Sequence, residues 1–363
     1  MDVQPRAPNE IRIAASDTLY RREIARSLGI HPNNINLLTT DAFETGQSRF
    51  LFGFTDTSPP SDYPPSFVKL AKEPSHKEQL QREVKSMELA KKMGIPTIHV
   101  HNGYFESPLG YGIIRLKKID IEEGLLLAND ELIAAAPKDK HFGSRAALLI
   151  AASIGKRIQP NIDTSFLLRG QKRLGSEQTF WELWDEENQT VLSSRYDAYR
   201  NQLIPRDELL SILIKSRVDL ESLVIQGYSD DEYFVHNDTS PSNCFFTNGS
   251  EVGNQDILLD FEQAAATHNI VLGAITDISD FYNRAWANPE MQQEFLCTLL
   301  QELKQFPLTD RYKIIRGAAV FGTMFASQFY MDDNHPRNIK AKYLLQHLQS
   351  NLADFDSFWA LQS

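Results

Sequence analysis

The sequence has few cysteines and no long apolar run, and these absences exclude several classes of protein. Only Cys244 and Cys297 occur among 363 residues. Two cysteines are too few for a disulfide framework, and neither lies in a spacing typical of zinc sites. The longest uninterrupted apolar run, residues 146–152, is far shorter than the roughly 20 residues that span a membrane. The first ten residues show no signal-peptide pattern. We therefore expect a cytoplasmic protein without an anchor.

The charge balance also narrows the choice of partners. The formal net charge is −11, which disfavours a protein whose main partner is a nucleic acid or an anionic membrane. A hydrophobic content of 42% is ample for a folded core, and the chain length suggests two domains. No repeat of fixed period is present, so solenoids and propellers are not expected. The sequence carries no signal for the oligomeric state.

The first third of the chain has the pattern of an antiparallel sheet with one prominent helix. A short leading helix is predicted from Ser16 to Gly29. A hairpin around Gly46 follows, then a third strand that carries Lys69. Residues 76–93 are amphipathic and stop at a Gly-x-Pro turn, which is typical of a helix end. Two more strands follow, so a β-rich first lobe is predicted over residues 1–118.

The rest of the chain, residues 119–363, is mainly helical in pattern. The predicted helical segments are residues 121–136, 144–158, 199–227, 288–306, 312–330 and 339–359. Two short apolar segments interrupt them, "YFVHND" and "DILLDFE", and each ends in acidic residues. We interpret them as a small ribbon whose strand ends carry the site. Residues 161–188 show no clean period and are expected to form loops and short helices of uncertain role.

The polar residues at these strand ends have the spacing of a phosphoryl-transfer site. His236 and Asp238 form H-x-D, and Asn243 follows the aspartate by five positions, as in a kinase catalytic loop. Asp260 comes after the next apolar run. Phosphoryl transfer needs one carboxylate to orient and deprotonate the attacking hydroxyl, and further oxygen ligands to hold Mg²⁺. Two acids and one amide therefore predict a site for a metal-bound nucleotide.

Together, "FVHNDTSPSNCFF" and "ILLDFEQA" resemble the aminoglycoside phosphotransferase and choline kinase-like family of small-molecule kinases. The resemblance implies an α+β, bilobal protein-kinase-like fold, with an antiparallel sheet and one main helix in the first lobe and a mainly helical second lobe. It also implies Asp238 as the catalytic base, His236 as a loop-supporting residue, and Asn243 and Asp260 as Mg²⁺ ligands. Asp277 is expected to begin a helix and to brace the catalytic loop.

The same resemblance assigns residues of the first lobe to the nucleotide, which is expected to be ATP, with GTP as an alternative. Lys69 would contact the α and β phosphates, and Glu83 on the following helix would hold it, in preference to Glu78 or Glu88. Gly46 would lie in the hairpin that covers the nucleotide. It is the only glycine there, so the hairpin has no G-x-G-x-x-G pattern, and this leaves open how well it grips phosphates.

Two other functions remain open at this point. A pseudokinase or nucleotide-binding interaction module of the same fold is one, since the glycine-poor hairpin could fail to close over phosphates. A metal hydrolase with His236 and Asp238 as ligands is the other. It is poorly supported, because the other candidate ligands, His268 and the pair His99 and His101, do not complete a spaced ligand set.

The sequence indicates a small-molecule hydroxyl acceptor without identifying it. Three acidic clusters, with nearby tryptophans, leave a cationic acceptor open through cation–π contact. The simpler interpretation is that the clusters are solvated turns. The clusters and tryptophans are residues 184–188, 228–233 and 330–334, and Trp181, Trp184 and Trp286.

Overall fold

The chain forms two compact units. The computed structural model describes residues 21–29, 31–38, 50–55, 66–71, 74–117, 124–169, 203–248, 256–327 and 336–362. Unit 1 comprises Met1–Leu89 and Ile98–Glu123, and unit 2 comprises Ala90–Thr97 and Gly124–Ser363. The boundary predicted after residue 118 falls among residues 118–123, which lie outside the described residues, so it stays a prediction.

Unit 1 contains a five-stranded antiparallel sheet. Its strands are β1 (Ile35–Leu38), β2 (Phe50–Thr55), β3 (Ser66–Ala71), β4 (Val100–Glu106) and β5 (Gly112–Lys117), in the order β1-β2-β3-β5-β4. The strands correspond to the five that the apolar runs predict. The β1 and β2 strands pair from Ile35 opposite Thr55 to Leu38 opposite Phe52. The turn between them, with Gly46, lies outside the described residues.

Two helices of different length accompany this sheet. A helix over residues 21–28 buries Ile24 and Leu28 in a cluster with Val68 and Leu70 of β3. It ends at Gly29, whose φ of 66° favours glycine. The predicted start at residue 16 lies outside the described residues. The longer helix, α1 (Lys77–Lys92), ends before a second left-handed glycine at residue 94. Both stops match those that the sequence predicts.

Unit 2 contains seven described helices. They are α2 (Asp130–Ala134), α3 (Phe142–Ser153), α4 (Arg206–Gln226), α5 (Ile270–Arg284), α6 (Pro289–Glu302), α7 (Leu308–Ser327) and α8 (Pro336–Ala360). Side chains of asparagine cap the start of three of them: Asn129 accepts a hydrogen bond from the backbone of Leu132, Asn269 accepts two from Val271 and Leu272, and Asn288 accepts one from Met291. None of the described helices combines the length and apolar character needed to cross a membrane.

Unit 2 also contains two small sheets that the sequence predicts only in part. One has the order β10 (Ile257–Leu258), β9 (Cys244–Thr247), β6 (Gly124–Leu126), and the other β7 (Leu168–Arg169), β11 (Ala265–Asn269), β8 (Tyr228–Val235). The helix predicted over residues 121–136 is therefore wrong at its start, because β6 occupies part of it. A Cβ atom at Gly124 would lie 2.3 Å from the Phe246 carbonyl oxygen, so β6 packs closer to β9 than other residues allow.

Helix α5 is the buried centre of the helical part of unit 2. Thirteen of its 15 residues are buried, so it offers fixed positions for side chains that reach the loop after β8. Helix α7 packs closely on α5 at a glycine: a Cβ atom at Gly322 would lie 2.8 Å from the Ser279 backbone oxygen. The position of α5 therefore depends on a small residue in α7.

Candidate active site

Strand pairing in unit 2 brings the predicted site residues to one end of a ribbon. Strand β8 ends directly before His236, and β9 begins directly after Asn243. The β9 and β10 strands pair with Leu258 opposite Cys244, and the Leu259 N–H donates to the Asn243 carbonyl oxygen at 2.8 Å. Asp260 therefore follows the residue that is bonded to Asn243, which places both predicted metal ligands at the same end of the β9–β10 ribbon.

His236 supports the loop from inside. Its side chain is fully buried. Nε2 lies 2.9 Å from the Leu259 carbonyl oxygen, and Nδ1 accepts the Asp238 N–H at 3.3 Å. These partners assign the neutral tautomer with its proton on Nε2. Burial lowers the pKa of His236, against the opposing effect of Asp238 and Asp260. Because both ring nitrogens have partners within the protein, His236 is not placed to bind a metal, and the hydrolase alternative loses its central ligand.

The Asp277 carboxylate holds the backbone of the loop. It accepts the N–H of His236 at 3.2 Å and the N–H of Asn237 at 2.8 Å. Thr239 adds a bond from its hydroxyl to the Asp277 backbone oxygen. The predicted bracing contact is thus present. The prediction that Asp277 begins a helix is wrong, because α5 begins at Ile270 and already encloses it.

The loop contains backbone conformations that non-glycine residues seldom adopt. The described non-glycine residues with positive φ are His141, Asn237 (φ 68°) and Asp260 (φ 55°), so one of the three directly precedes the predicted base and another is itself a predicted metal ligand. Asn237 is buried, and neither polar atom of its amide has a hydrogen-bond partner among the described residues. Left-handed residues of this kind cost on the order of 1 kcal/mol each and cluster at functional sites.

The donor set at the ribbon end fits a hard divalent cation. The Asn243 amide nitrogen donates to the Asp238 backbone oxygen at 2.8 Å, so hydrogen bonding assigns the amide oxygen as the atom that can face a ligand. Asp260 supplies a carboxylate. Amide and carboxylate oxygens are ligands that Mg²⁺ accepts.

Sequence reasoning missed an arginine beside the predicted base. Arg284, in the last turn of α5, has its Nη2 atom 3.6 Å from Asp238 Oδ1. Its Nε atom lies 3.3 Å from Asp280 Oδ1. Asp280 and Arg284 are four residues apart, and Asp277 lies one turn before Asp280, so all three project from the same side of α5. That spacing in "TDISDFYNR" is the signal that could have found Arg284.

The two predicted nucleotide-binding charges of unit 1 form a buried ion pair. Lys69 Nζ lies 2.8 Å from Glu83 Oε2, and the side chains are 5% and 2% exposed. Lys69 is on the central strand β3, between Phe52 of β2 and Ile114 of β5. Because both side chains are buried, Lys69 is not a solvated residue of the strand.

The described acidic cluster is not a turn, and two of its three acids are paired with arginines. It lies on β8, where Asp231 pairs with Arg157 at 2.6 Å and Glu232 pairs with Arg169. The other two clusters, Trp181 and Trp184 lie outside the described residues. Trp286 packs edge-on against Tyr343.

The other candidate histidines do not join His236. His101 lies in β4 of unit 1 and His99 directly precedes that strand, and their rings pack against each other with 4.8 Å between the centroids. His268 belongs to β11 and lies next to the backbone oxygen of Asp231. These contacts give the hydrolase alternative no support among the described residues.

Comparison with solved structures identifies the fold. The chain is similar to the GDP and kanamycin complex of the aminoglycoside phosphotransferase APH(2")-IIia, with a TM-score of 0.53, 14% identity, and coverage of 92% of this chain and 99% of that one. It is also similar to an ethanolamine kinase from Plasmodium vivax, with a TM-score of 0.50, 14% identity, and coverage of 99% and 97%. No protein-family model and no curated protein matches the sequence. The predicted α+β, protein-kinase-like fold is confirmed, and the structures that share it are small-molecule kinases.

Proposed function

We propose that this chain is a phosphotransferase that moves the γ-phosphate of ATP to a hydroxyl group of a small molecule. The observation that carries the proposal is the loop after β8, where buried His236 and Asp277 of α5 accept the backbone N–H groups of three consecutive residues that end at Asp238. Solved structures with this fold are named as phosphotransferases and kinases, which supports the reaction type in general. Since fold does not determine function, the residues of the loop supply the specific argument.

In this proposal Asp238 is the catalytic base. Its side chain is 21% exposed, so the carboxylate can meet a substrate while its backbone stays fixed. It would accept the proton of the acceptor hydroxyl as the oxygen attacks phosphorus. His236 would take no proton in this step, because its Nε2 proton is directed to the Leu259 carbonyl oxygen and its Nδ1 atom accepts a backbone N–H.

Asn243 and Asp260 would hold Mg²⁺ with the phosphates. When bound, Mg²⁺ neutralises negative charge that develops on the transferred phosphoryl group. The chain's own contribution is to fix its two ligands: Asn243 through its bond to Asp238, and Asp260 through the pairing of β9 with β10. The first constraint is a bond from the Asn243 side-chain amide to a backbone oxygen, and the second is backbone pairing.

Lys69 would contact the α and β phosphates of the nucleotide, with Glu83 holding its side chain in place. The observation that supports this role is the burial of both charges on one strand and one helix of unit 1. GTP is the alternative donor, since the phosphotransferase structure with a TM-score of 0.53 is a GDP complex.

The test is a comparison of turnover and nucleotide binding in Asp238→Asn. Phosphate release or transfer, measured with ATP, Mg²⁺ and a panel of hydroxyl acceptors, should fall by about 10²-fold to 10⁴-fold, the usual contribution of a general base. Nucleotide affinity, measured by calorimetry with and without Mg²⁺, should change little.

An exposed aspartate provides the matched control. Asp354→Asn, on α8, should retain full turnover. Turnover in Asp238→Asn equal to that of the wild type would contradict the proposal. Nucleotide binding without transfer to any acceptor would instead favour the pseudokinase.

A further inference from the structure

Arg284 is a partly exposed cation beside the predicted base. Its side chain is 42% exposed, whereas the Asp280 carboxylate that contacts its Nε atom is fully buried. The guanidinium is therefore held at one edge by a buried anion while part of it faces solvent. Its Nη2 atom lies 3.6 Å from Asp238 Oδ1. Any acceptor that brings a hydroxyl to Asp238 must also approach this charge.

The guanidinium retains most of its hydrogen-bonding capacity. A distance of 3.6 Å to Asp238 is too long for a hydrogen bond. Among the described residues, only the Nε–H of Arg284 donates one, to Asp280. The two Nη groups thus offer a planar set of donors whose geometry matches a carboxylate or a phosphate. Asp238 likewise keeps its role as base, because Arg284 does not bind it tightly.

We propose that Arg284 binds an anionic group of the phosphoryl acceptor, so that the acceptor is a small hydroxy acid. The inference rests on the proposed phosphotransferase function and names its substrate class. A hydroxyl bonded to Asp238 and an anion bonded to Arg284 would be close together, as in molecules whose hydroxyl and carboxylate are a few bonds apart. An ammonium or quaternary ammonium group at the same place would meet a like charge.

The described acidic cluster on β8 is mostly matched by arginines. A cationic acceptor would need unmatched acidic side chains, and of the three acids in that cluster only Asp230 has no arginine partner among the described residues. Asp231 and Glu232 are each paired with an arginine there. Asp280 is next to the site, but its carboxylate is the group that anchors Arg284.

A second possible role of Arg284 must be distinguished from binding of the acceptor. An arginine beside the base could instead stabilise the charge on the transferred phosphoryl group. That role would affect transfer to every acceptor equally. Acceptor binding affects only those acceptors that carry the anion, so matched pairs of acceptors distinguish the two.

The experiment uses three pairs of compounds, each with and without a carboxylate: L-serine and ethanolamine, L-homoserine and 3-amino-1-propanol, and D-glycerate and glycerol. Binding to the full chain without nucleotide is measured by calorimetry, and transfer from ATP and Mg²⁺ is measured as kcat/KM. We expect at least one acid to bind tenfold more tightly than its partner and to be the better acceptor. Arg284→Gln should remove that preference, and Arg284→Lys should restore part of it.

Arg157→Gln is the control, since it removes an exposed arginine that is paired with an aspartate on β8. It should leave the preference unchanged. Circular dichroism and melting temperature confirm that each variant is folded.

Three results would overturn the proposal. One is the absence of any acid that binds the wild type more tightly than its partner. Another is a decrease of kcat/KM in Arg284→Gln that is equal for both members of each pair, which would assign Arg284 to the phosphoryl group. The third is a preference for the acid that survives in Arg284→Gln. If transfer to ethanolamine or glycerol proceeds in any of these cases, the phosphotransferase function stands and only the substrate class is wrong.

Discussion

The two units fix their functional carboxylates and cations in different ways. In unit 1, Lys69 and Glu83 hold each other as a buried pair of opposite charges. In unit 2, Asp238 is positioned through its backbone, by neutral His236 and by the Asp277 carboxylate, and its own side chain stays accessible. The difference matches the two proposed tasks. A phosphate-binding lysine needs one orientation, whereas a base must exchange a proton with each substrate.

Separating the charges of unit 1 should give the largest loss of stability. Lys69→Met and Glu83→Gln each leave a buried charge without this partner, which costs about 3–5 kcal/mol of unfolding free energy. The double variant should lose less than the sum of the two single losses. Urea unfolding, with hydrogen exchange in β3 and α1, measures the effect.

The control pair is also in unit 1. Lys77 and Glu106 are in contact at 3.1 Å with side chains 37% and 42% exposed. Lys77→Met and Glu106→Gln should each cost about 0–1 kcal/mol. Equal losses at the buried and exposed pairs would show that burial does not strengthen the coupling between Lys69 and Glu83.

Removing the brace of unit 2 should cost somewhat less. Asp277→Ala leaves the buried N–H groups of His236 and Asn237 without their acceptor, at about 1–2 kcal/mol for each donor. We expect a total loss of about 2–4 kcal/mol, faster hydrogen exchange at residues 236–239, and reduced turnover. Asp354→Ala, an exposed change on α8, should stay within about 0.5 kcal/mol of the wild type. Unchanged exchange at residues 236–239 would mean that Asp277 does not hold the loop.

A pH titration should reveal the neutral histidine. Because the pKa of folded His236 lies below its ordinary value, the unfolded chain binds a proton first when the pH falls below about 6.5. The stability that this group contributes is therefore complete above that pH and is lost as the pH falls toward the folded pKa, with a slope of up to about 1.4 kcal/mol per pH unit.

The variant His236→Gln has no side chain that titrates in this range, so it should lack this slope. His141→Gln is the control, because His141 is an exposed histidine next to Glu294. Identical slopes between pH 6.5 and 5 in wild type and His236→Gln would contradict the assignment.

The smallest effect concerns the left-handed residue beside the base. Asn237→Gly removes the conformational cost of a positive φ together with an amide that has no partner among the described residues. It should raise the unfolding free energy by about 1 kcal/mol or less. Asn237→Ala removes the amide and keeps the backbone cost, so the difference between the two variants measures the backbone contribution. An Asn237→Ala variant more stable than Asn237→Gly would contradict the proposed backbone cost at this position.

Local patterns were sufficient to predict much of this site. The H-x-D spacing, the apolar run before Asp260, and the position of Lys69 on a strand before an amphipathic helix all lie within short segments. Apolar periodicity marks the strand and the helix that carry Lys69 and Glu83, and the resemblance to small-molecule kinases implies that these two residues pair. The resemblance to small-molecule kinases rests on the same short segments.

The features that were missed depend on partners far along the chain. Strand β6 is a three-residue segment that becomes a strand only because β9 lies beside it, and residues 121–136 alone favour a helix. The spacing within "TDISDFYNR" places Asp277, Asp280 and Arg284 on one side of α5, but it does not state that this side faces the loop after β8, where Arg284 reaches Asp238.

The close packing at Gly322 has a consequence for genetic screens. Gly322 touches no proposed substrate-binding group, yet a methyl group there would collide with the Ser279 backbone oxygen, two residues after Asp277. Substitutions at this distant glycine would shift the helix that carries both the brace of the loop and Arg284. A screen for lost activity would then recover Gly322 together with the active-site residues, and only a stability measurement would reveal that its defect is mechanical rather than chemical.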